Sequence, residues 1–498
     1  MSRRLDFHSM VGKPTRWVTG SWLLGSTILL AAAGHLFIFG NALNPDATSY
    51  MDETNTFLAT GSLEMGSAPY PRHPPMMSFV FAPFALVFGY SEFSVHALEL
   101  FIFVVDLAAL YAISLPLGPR LRIVPCVLLS FDPVLYLNMS EGRSLGLLVL
   151  FALAVLWGIW RSLSDSRWLV VAALGASCGF LTADTAGFLF VAAGAAGFGW
   201  RYYYTGSKLF LDRGYLAAAA VFLATVLIWT LYNLRATGSP STDPRVVGFL
   251  GRLFLSTPVE VFVVMVGGSA AYFSLYASSA AWPFLLCREG RAALFRLPRL
   301  ALDDQRIGAL FLFIFVAISI SATLAAAFVL YEPLRSLAGI DTYLRYVAII
   351  SPMVYLAIGF HLRRVVSSRH FVRWALPLAI TLILLSGQMV TRIAQGTANS
   401  ETFVEIRQLL DSRGTRLVYT DVVAFLKYNL PGIEFLSLYQ GSSRPYINIT
   451  SSEVPVGSAL LTIIYMPKAY DQRVGAFFFV SNFDPNRQSP FINLAYSP

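Results

Sequence analysis

Long uninterrupted apolar runs constrain this chain more than any other feature of its sequence. Residues 21–40 and 307–330 are two examples, and each exceeds the roughly 18 residues that a helix needs to cross about 30 Å of hydrocarbon. The composition agrees, because 56% of the residues are hydrophobic and 13% are charged, whereas soluble chains carry about 25% charged residues. Barrel strands would instead alternate polar and apolar residues over about 10 positions. The runs therefore predict an all-α polytopic membrane protein and exclude a soluble one.

The distribution of basic residues decides how many apolar segments cross. If segment 75–90 does not cross, the loops on the side of the N-terminus hold 20 Lys and Arg residues and the opposite loops hold seven. The positive-inside rule then predicts about eleven spans, a cytoplasmic N-terminus, an external C-terminus and an interfacial helix at 75–90. The net charge of +8 is thus an orientation signal, and we expect no nucleic-acid partner. The predicted spans are 21–40, 93–116, 121–139, 144–162, 168–183, 186–200, 215–234, 258–286, 307–331, 346–362 and 372–391.

Two units follow from this pattern. Residues 1–392 form a transmembrane module whose first external loop is 41–92, and residues 393–498 form a small external α/β domain. The tail pattern predicts helices at 402–411 and 422–428 and strands at 416–420, 433–438 and 459–465. Three charged residues of the tail show no arrangement typical of a site, so we interpret them as solvated surface. They are Asp421, Lys427 and Arg444.

The first external loop is the most polar part of the membrane half. Asp46 follows Asn44-Pro45, a pair typical of a helix start, just past the first span. Tyr50 and Phe57 then fall at spacings of an amphipathic helix. The pattern predicts that Asp46 lies at the mouth of the helical bundle, although a plain solvated loop is the alternative interpretation.

Two further external motifs carry charge. Glu141 and Arg143 flank a glycine after the third span, where a boundary ion pair or lipid contacts are the alternative. Tyr343 and Arg345 precede the tenth span, where Arg345 is suited to clamp a phosphate, and interfacial anchoring is the alternative. Within the spans, four acids are costly in hydrocarbon and should face the bundle interior. They are Glu99, Asp106, Asp132 and Asp184.

Taken together, these motifs resemble those of the GT-C glycosyltransferases of the protein O-mannosyltransferase and aminoarabinose-transferase type. The resemblance combines an acid four residues before a Tyr, a basic residue or His before Pro-Pro, a Phe-Gly turn, a Glu-x-Arg motif and a late Arg-Tyr pair. The segments concerned are Asp46-Ala-Thr-Ser-Tyr50, Ala59-Thr60-Gly61, Arg72-His73-Pro74-Pro75, Phe88-Gly89-Tyr90, Ser140-Glu141-Gly142-Arg143 and Leu344-Arg345-Tyr346.

The resemblance implies a GT-C-like fold over 1–392 and an inverting transfer of a sugar from a polyprenyl-phosphate donor to an acceptor hydroxyl on the extracytoplasmic face. The implied partners are that donor, an acceptor glycan, lipid or protein, and membrane lipids. Catalytic roles fall on Asp46 and Glu141. The implied substrate-binding residues are Tyr50, Asp52, Glu53, Arg72, His73, Arg143, Tyr343 and Arg345.

Several alternatives stay open at this point. Spacing to Tyr50 favours Asp46 as the base, but Asp52 and Glu53 supply an acidic pair six residues later. His73 stands where aminoarabinose transferases have Lys, which leaves the sugar open. No cofactor is predicted, and a divalent cation between Asp46 and Glu141 is left open.

A different class of function also remains. A lipid-linked sugar flippase or another transporter would need charged groups along a path through the membrane, and Asp106 and Asp132 are its best support. Most ionisable residues gather at the external face instead, which favours surface chemistry.

Overall fold

The structure is a computed structural model of the chain. Besides a few single positions, it describes residues 43–63, 73–118, 121–140, 142–205, 212–238, 306–310, 312–314, 349–365, 401–420, 423–437, 456–462, 473–474, 477–482 and 493–496. The helices of the membrane half, numbered along the chain, are α1 (Pro45–Thr60), α2 (Met76–Phe88), α3 (Glu92–Ile113), α4 (Ile123–Ser130), α5 (Pro133–Ser140), α6 (Leu145–Ser162), α7 (Leu169–Phe180), α8 (Asp184–Thr205), α9 (Arg213–Thr237) and α10 (Ser351–Val365).

Helix α1 begins and ends where its sequence provides caps. Asn44 accepts the backbone N–H of Asp46 on its side chain at 2.9 Å, and Pro45 occupies the first turn, where its missing N–H costs nothing. At the other end Gly61 adopts a φ of 75°, and its N–H donates to the carbonyl of Phe57. These caps confirm the predicted helix and place Asp46 in its first turn.

Helix α2 is too short to cross a membrane. Its 13 residues span about 20 Å at 1.5 Å per residue, against about 30 Å of hydrocarbon. Leu86 and Val87 near its end are 72% and 73% exposed. Length and exposed apolar side chains are typical of an interfacial helix, as predicted for 75–90.

Helices α3, α6 and α9 are each long and apolar enough to span a membrane, and the described residues contain up to four such spans if α4 and α5 count as one. At the centre of the bundle α6 packs closely on α7, because a Cβ at Gly158 would lie 2.5 Å from the backbone nitrogen of Ala172. Several predicted spans lie largely or wholly outside the described residues, so the number of about eleven stays a prediction. These spans are 21–40, 258–286, 307–331 and 372–391.

The outer face of α9 is apolar and unpacked. Its exposed large side chains recur along one side of the helix, and such a contiguous apolar surface is typical of contact with lipid. These side chains, between 44% and 69% exposed, are Leu216, Leu223, Leu227, Ile228, Leu231 and Leu234. The several apolar helices place the chain in a membrane.

The predicted span 121–139 is not one continuous helix, because the chain breaks into α4 and α5 with a bend of 56°. Pro133 removes a backbone donor and disfavours helical geometry in the residue before it. The buried carboxylate of Asp132 caps the new helix, since its Oδ1 accepts the N–H groups of Val134 at 3.0 Å and Leu135 at 2.8 Å. Its Oδ2 accepts the hydroxyl of Tyr355 in α10 at 2.8 Å. Asp132 therefore has structural contacts, which weakens the support that it gave to a transport path.

The Tyr355–Asp132 hydrogen bond gives a stability prediction. Tyr355→Phe should lower the free energy of unfolding by about 1–2 kcal/mol, because it removes a donor from a buried carboxylate. Thermal unfolding of the purified protein in detergent measures the effect. Tyr202→Phe is a matched control, since Tyr202 is 49% exposed, and an equal loss in both variants would contradict the prediction.

The tail combines a mixed sheet with helices. The strands are β1 (Leu417–Thr420), β2 (Glu434–Ser437), β3 (Ala459–Thr462), β4 (Arg473–Val474), β5 (Phe477–Asn482) and β6 (Asn493–Tyr496), in the order β2-β1-β3-β6-β5-β4.

Strand β1 is parallel to β2 and β3, and the remaining pairs are antiparallel. Helical residues 401–412 and helix α11 (Val423–Asn429) pack on it through Ile406, Leu410 and Leu426. The short strands β4 to β6 were not predicted, and the independence of 393–498 as a domain stays a prediction.

Candidate functional site

Asp46 and His73 meet at the start of α1. The Nε2 atom of His73 lies 3.7 Å from Oδ1 of Asp46, and the two side chains are 20% and 21% exposed. That separation exceeds a normal hydrogen bond, and the pair is an ion pair only when the imidazole is protonated. The ring of Tyr50 lies against the His73 ring with centroids 4.7 Å apart. The Asp46 carboxylate is therefore partly open to solvent and has an imidazole beside it.

The segment 142–144, which follows Glu141, packs directly against α1. Gly142 has a φ of 71°, and a Cβ there would lie 2.8 Å from Cβ of Ala47. The buried hydroxyl of Tyr50 donates to Oγ of Ser144 at 3.3 Å. Half-buried Arg143 lies between these two contacts. The structure thus brings the segment that contains Arg143 of the predicted motif to the helix that carries Asp46.

Asp52 and Glu53, predicted to bind substrate, are buried in protein contacts. The Glu53 carboxylate accepts the backbone N–H of His73 at 3.0 Å and the hydroxyl of Ser78 at 3.2 Å. Asp52 has a side chain only 5% exposed, with Nζ of Lys427 at 3.9 Å from its Oδ1. Glu53 therefore fixes the backbone of His73, and Asp46 is the more accessible carboxylate of α1.

The interpretation of Lys427 as plain solvated surface is wrong. Its side chain is half exposed, but its ammonium lies beside Asp52, because α11 packs on α1. The next residue, Tyr428, packs into the apolar cluster that includes Tyr50. Burial, together with the nearby Asp52 and Tyr90, raises the pKa of the Tyr428 hydroxyl. The tail thus contributes side chains to the neighbourhood of Asp46.

Sequence reasoning had no means of finding these tail residues. Lys427 and Asn429 stand more than 370 positions from their partners Asp52 and Leu43, and no motif marks them. Ser78 and Ser144 escaped notice for a different reason, since isolated serines are common. Only Ser144 had a local signal, as the residue that follows Arg143.

Comparison with known proteins gives a partial sequence match and a shared fold. Residues 72–231 match the sequence model of the family described as dolichyl-phosphate-mannose-protein mannosyltransferase. The crystal structure of ArnT from Cupriavidus metallidurans bound to undecaprenyl phosphate superposes with a TM-score of 0.59 at 12% identity, over 98% of this chain and 99% of that chain. This chain therefore shares the fold of ArnT, and its residues 72–231 resemble the mannosyltransferase family in sequence. Both similarities agree with the resemblance that the sequence motifs carry.

A second structure agrees on the fold. ArnT from Cupriavidus metallidurans in the apo state superposes with a TM-score of 0.60 at 12% identity, over 97% of this chain and 98% of that chain. At this identity the superpositions establish the shared fold. A comparison of the whole sequence with curated proteins gave no match. The family match covers about a third of the chain and begins after Asp46.

Four predicted site residues of this chain lie outside the described residues, so their roles stay predictions. They are Arg72, Glu141, Tyr343 and Arg345. The described residues contain no group of three or more His, Cys, Asp or Glu side chains that could hold a metal ion. A divalent cation between Asp46 and Glu141 stays open, because Glu141 is not among them.

Proposed function

We propose that this GT-C protein transfers a sugar from a polyprenyl-phosphate donor to an acceptor hydroxyl on the extracytoplasmic face of the membrane, with inversion at the anomeric carbon. One observation carries the proposal: an accessible carboxylate, Asp46, lies in the first turn of α1 with His73 at 3.7 Å. The similarity to an ArnT crystallised with undecaprenyl phosphate supports a lipid-phosphate donor.

The proposed chemistry assigns Asp46 as the general base. It takes the proton of the acceptor hydroxyl as that oxygen attacks the anomeric carbon in line. The bond from this carbon to the phosphate oxygen breaks, and the phosphate leaves with the bonding electrons. A phosphate is a weak base, so its departure needs stabilisation of charge more than a proton.

Cationic residues supply that stabilisation in the proposal. Arg345, helped by Arg72 or protonated His73, neutralises the lipid phosphate. Glu141 and Arg143 orient the acceptor or Asp46, with Tyr50 and Tyr343 completing the binding surface. Asp52 and Glu53 act through their neighbours, since both carboxylates are buried.

The contacts of the tail support the proposed orientation. Helix α11 packs on α1 through Asn429 and Lys427, so the tail and the first loop lie on one face. The positive-inside count assigns that face to the outside.

A donor panel tests the function. The purified protein is incubated with radiolabelled polyprenyl-phosphate sugars and, as a control, with the same sugars as soluble nucleotide sugars. We expect one lipid donor to lose its label to water or an acceptor, and the soluble donors to stay intact. Translocation of an intact lipid-linked sugar across proteoliposomes, with no cleavage of any donor, would contradict the proposal and indicate the flippase alternative.

A further inference from the structure

The tail helix α11 holds Leu43, the residue that precedes the cap of α1. The side chain of Asn429 accepts the backbone N–H of Leu43 at 2.9 Å and donates to the carbonyl oxygen of Leu43 at 3.2 Å. The two residues stand 386 positions apart. The backbone N–H and carbonyl of Leu43 are thus both paired with the side-chain amide of Asn429.

This contact is enclosed rather than superficial. Asn429 is 8% exposed and Leu43 is 1% exposed. Water therefore has little access to replace the two hydrogen bonds if the amide is removed, and an unpaired buried backbone group carries a large desolvation penalty. The amide of Asn429 is consequently a strong local constraint on the backbone at Leu43.

The constraint continues along the chain to Asp46. Leu43 directly precedes Asn44, whose side chain caps the helix by accepting the N–H of Asp46 at 2.9 Å. A shift of the Leu43 backbone displaces this cap and with it the first turn of α1. The carboxylate of Asp46 projects from that turn, so its position depends on the Asn429 contact.

Two neighbours of Asn429 make the docking of α11 rigid. Tyr428 packs with Leu43, Tyr50 and Met51 in one apolar cluster. Lys427 places its ammonium 3.9 Å from Asp52, almost two turns further along α1 than Asp46. Helix α11 therefore contacts α1 both near its first turn and further along it, so these contacts constrain the direction of α1 as well as its start.

We propose that Asn429 is a positioning residue for sugar transfer, acting through Leu43 and Asn44 on the carboxylate of Asp46. This inference rests on the proposed role of Asp46 as the base. It makes the tail a part of the catalytic machinery, because the base is aligned only while α11 is docked. Removing the amide should lower the rate of the chemical step and leave binding of the donor lipid unchanged.

The test compares Asn429→Ala with two other variants. Arg407→Gln is the matched control, since Arg407 hydrogen-bonds Asp411 and the carbonyl of Pro431 within the tail. Asn429→Gln keeps the amide on a side chain one methylene longer. The full-length proteins are assayed for kcat and KM with the polyprenyl-phosphate sugar that the wild type cleaves, and for amide hydrogen exchange.

Asn429→Ala should lower kcat about 10- to 100-fold at unchanged KM, as expected for loss of two buried hydrogen bonds that align the base. Exchange should accelerate in the peptide that covers 43–50 and stay unchanged in strands β1 to β3. Arg407→Gln should match the wild type in kcat. Asn429→Gln should recover part of the lost kcat, which a role in folding alone would not produce.

Several outcomes would overturn the inference. One is normal kcat in Asn429→Ala, with or without faster exchange at 43–50. Another is an equal loss of kcat in Arg407→Gln, which would point to general damage of the tail. Normal turnover in Asp46→Asn would overturn the proposed function as well, whereas normal turnover in Asn429→Ala alone would overturn only this inference.

Discussion

Asp46→Asn should lower the rate of sugar transfer by about 10²–10⁴-fold, the usual contribution of a positioned general base. The amide has nearly the size of the carboxylate, so α1 and its cap at Asn44 should persist. It cannot take a proton from the acceptor hydroxyl. We expect unchanged expression and an unchanged Kd for the polyprenyl phosphate, and transfer of label from the lipid donor measures the loss.

Two other carboxylates serve as comparisons for this prediction. Asp165→Asn should have no effect, because Asp165 caps the short turn Ser166–Trp168 on a different element. Asp52→Asn should cost less than Asp46→Asn, because Asp52 is buried beside Lys427. A larger loss of transfer rate in Asp52→Asn would indicate that Asp52 is the base. Turnover near the wild-type rate in Asp46→Asn would remove Asp46 from the chemistry altogether.

Gly142→Ala should strongly destabilise the site. The new Cβ would lie 2.6 Å from Cγ1 of Val95 and 2.8 Å from Cβ of Ala47, and both atoms belong to short, stiff side chains. The φ of 71° adds strain for any residue with a Cβ. Together we expect a loss of about 2–4 kcal/mol in the free energy of unfolding. Turnover should fall too, because α1 must move away from segment 142–144. Thermal unfolding in detergent and the label-transfer assay measure the two effects.

Gly61→Ala separates steric overlap from backbone strain. Gly61 has a similar φ of 75°, but a Cβ there would meet no atom within 4 Å. Gly61→Ala should therefore lower the free energy of unfolding by only about 1–2 kcal/mol, the energy of the left-handed conformation for a residue with a Cβ. Equal losses in the two variants would show that strain alone explains Gly142, and that close packing between segment 142–144 and α1 is unimportant.

Local chemistry made part of this fold predictable. Asn44-Pro45-Asp46 supplies a cap, a first-turn proline and a first-turn acid in that order, so the start of α1 could be predicted from the sequence. The short segment around Pro83 was recognisable as α2 because the basic residues of later loops excluded a crossing. The apolar runs of α3, α6 and α9 likewise exceed any length that a soluble helix of this composition would have.

The remaining features depend on contacts between distant residues. The bend between α4 and α5 inside the predicted span was not foreseen, because it depends on Asp132, which satisfies the freed backbone donors and binds Tyr355. The docking of Asn429 on Leu43 joins residues 386 positions apart. Neither partner of such a pair is distinctive alone, so periodicity and capping rules had nothing to detect.

The bond between Tyr355 and Asp132 has a consequence for synthesis of the chain. The two residues are 223 positions apart. A nascent chain that has emerged only as far as α9 holds the bent pair α4–α5 without the donor from α10. The hydrogen bond at this bend can therefore form only after α10 has been synthesised. The packing around Asp132 is completed by a late helix, although α4 and α5 are among the early ones.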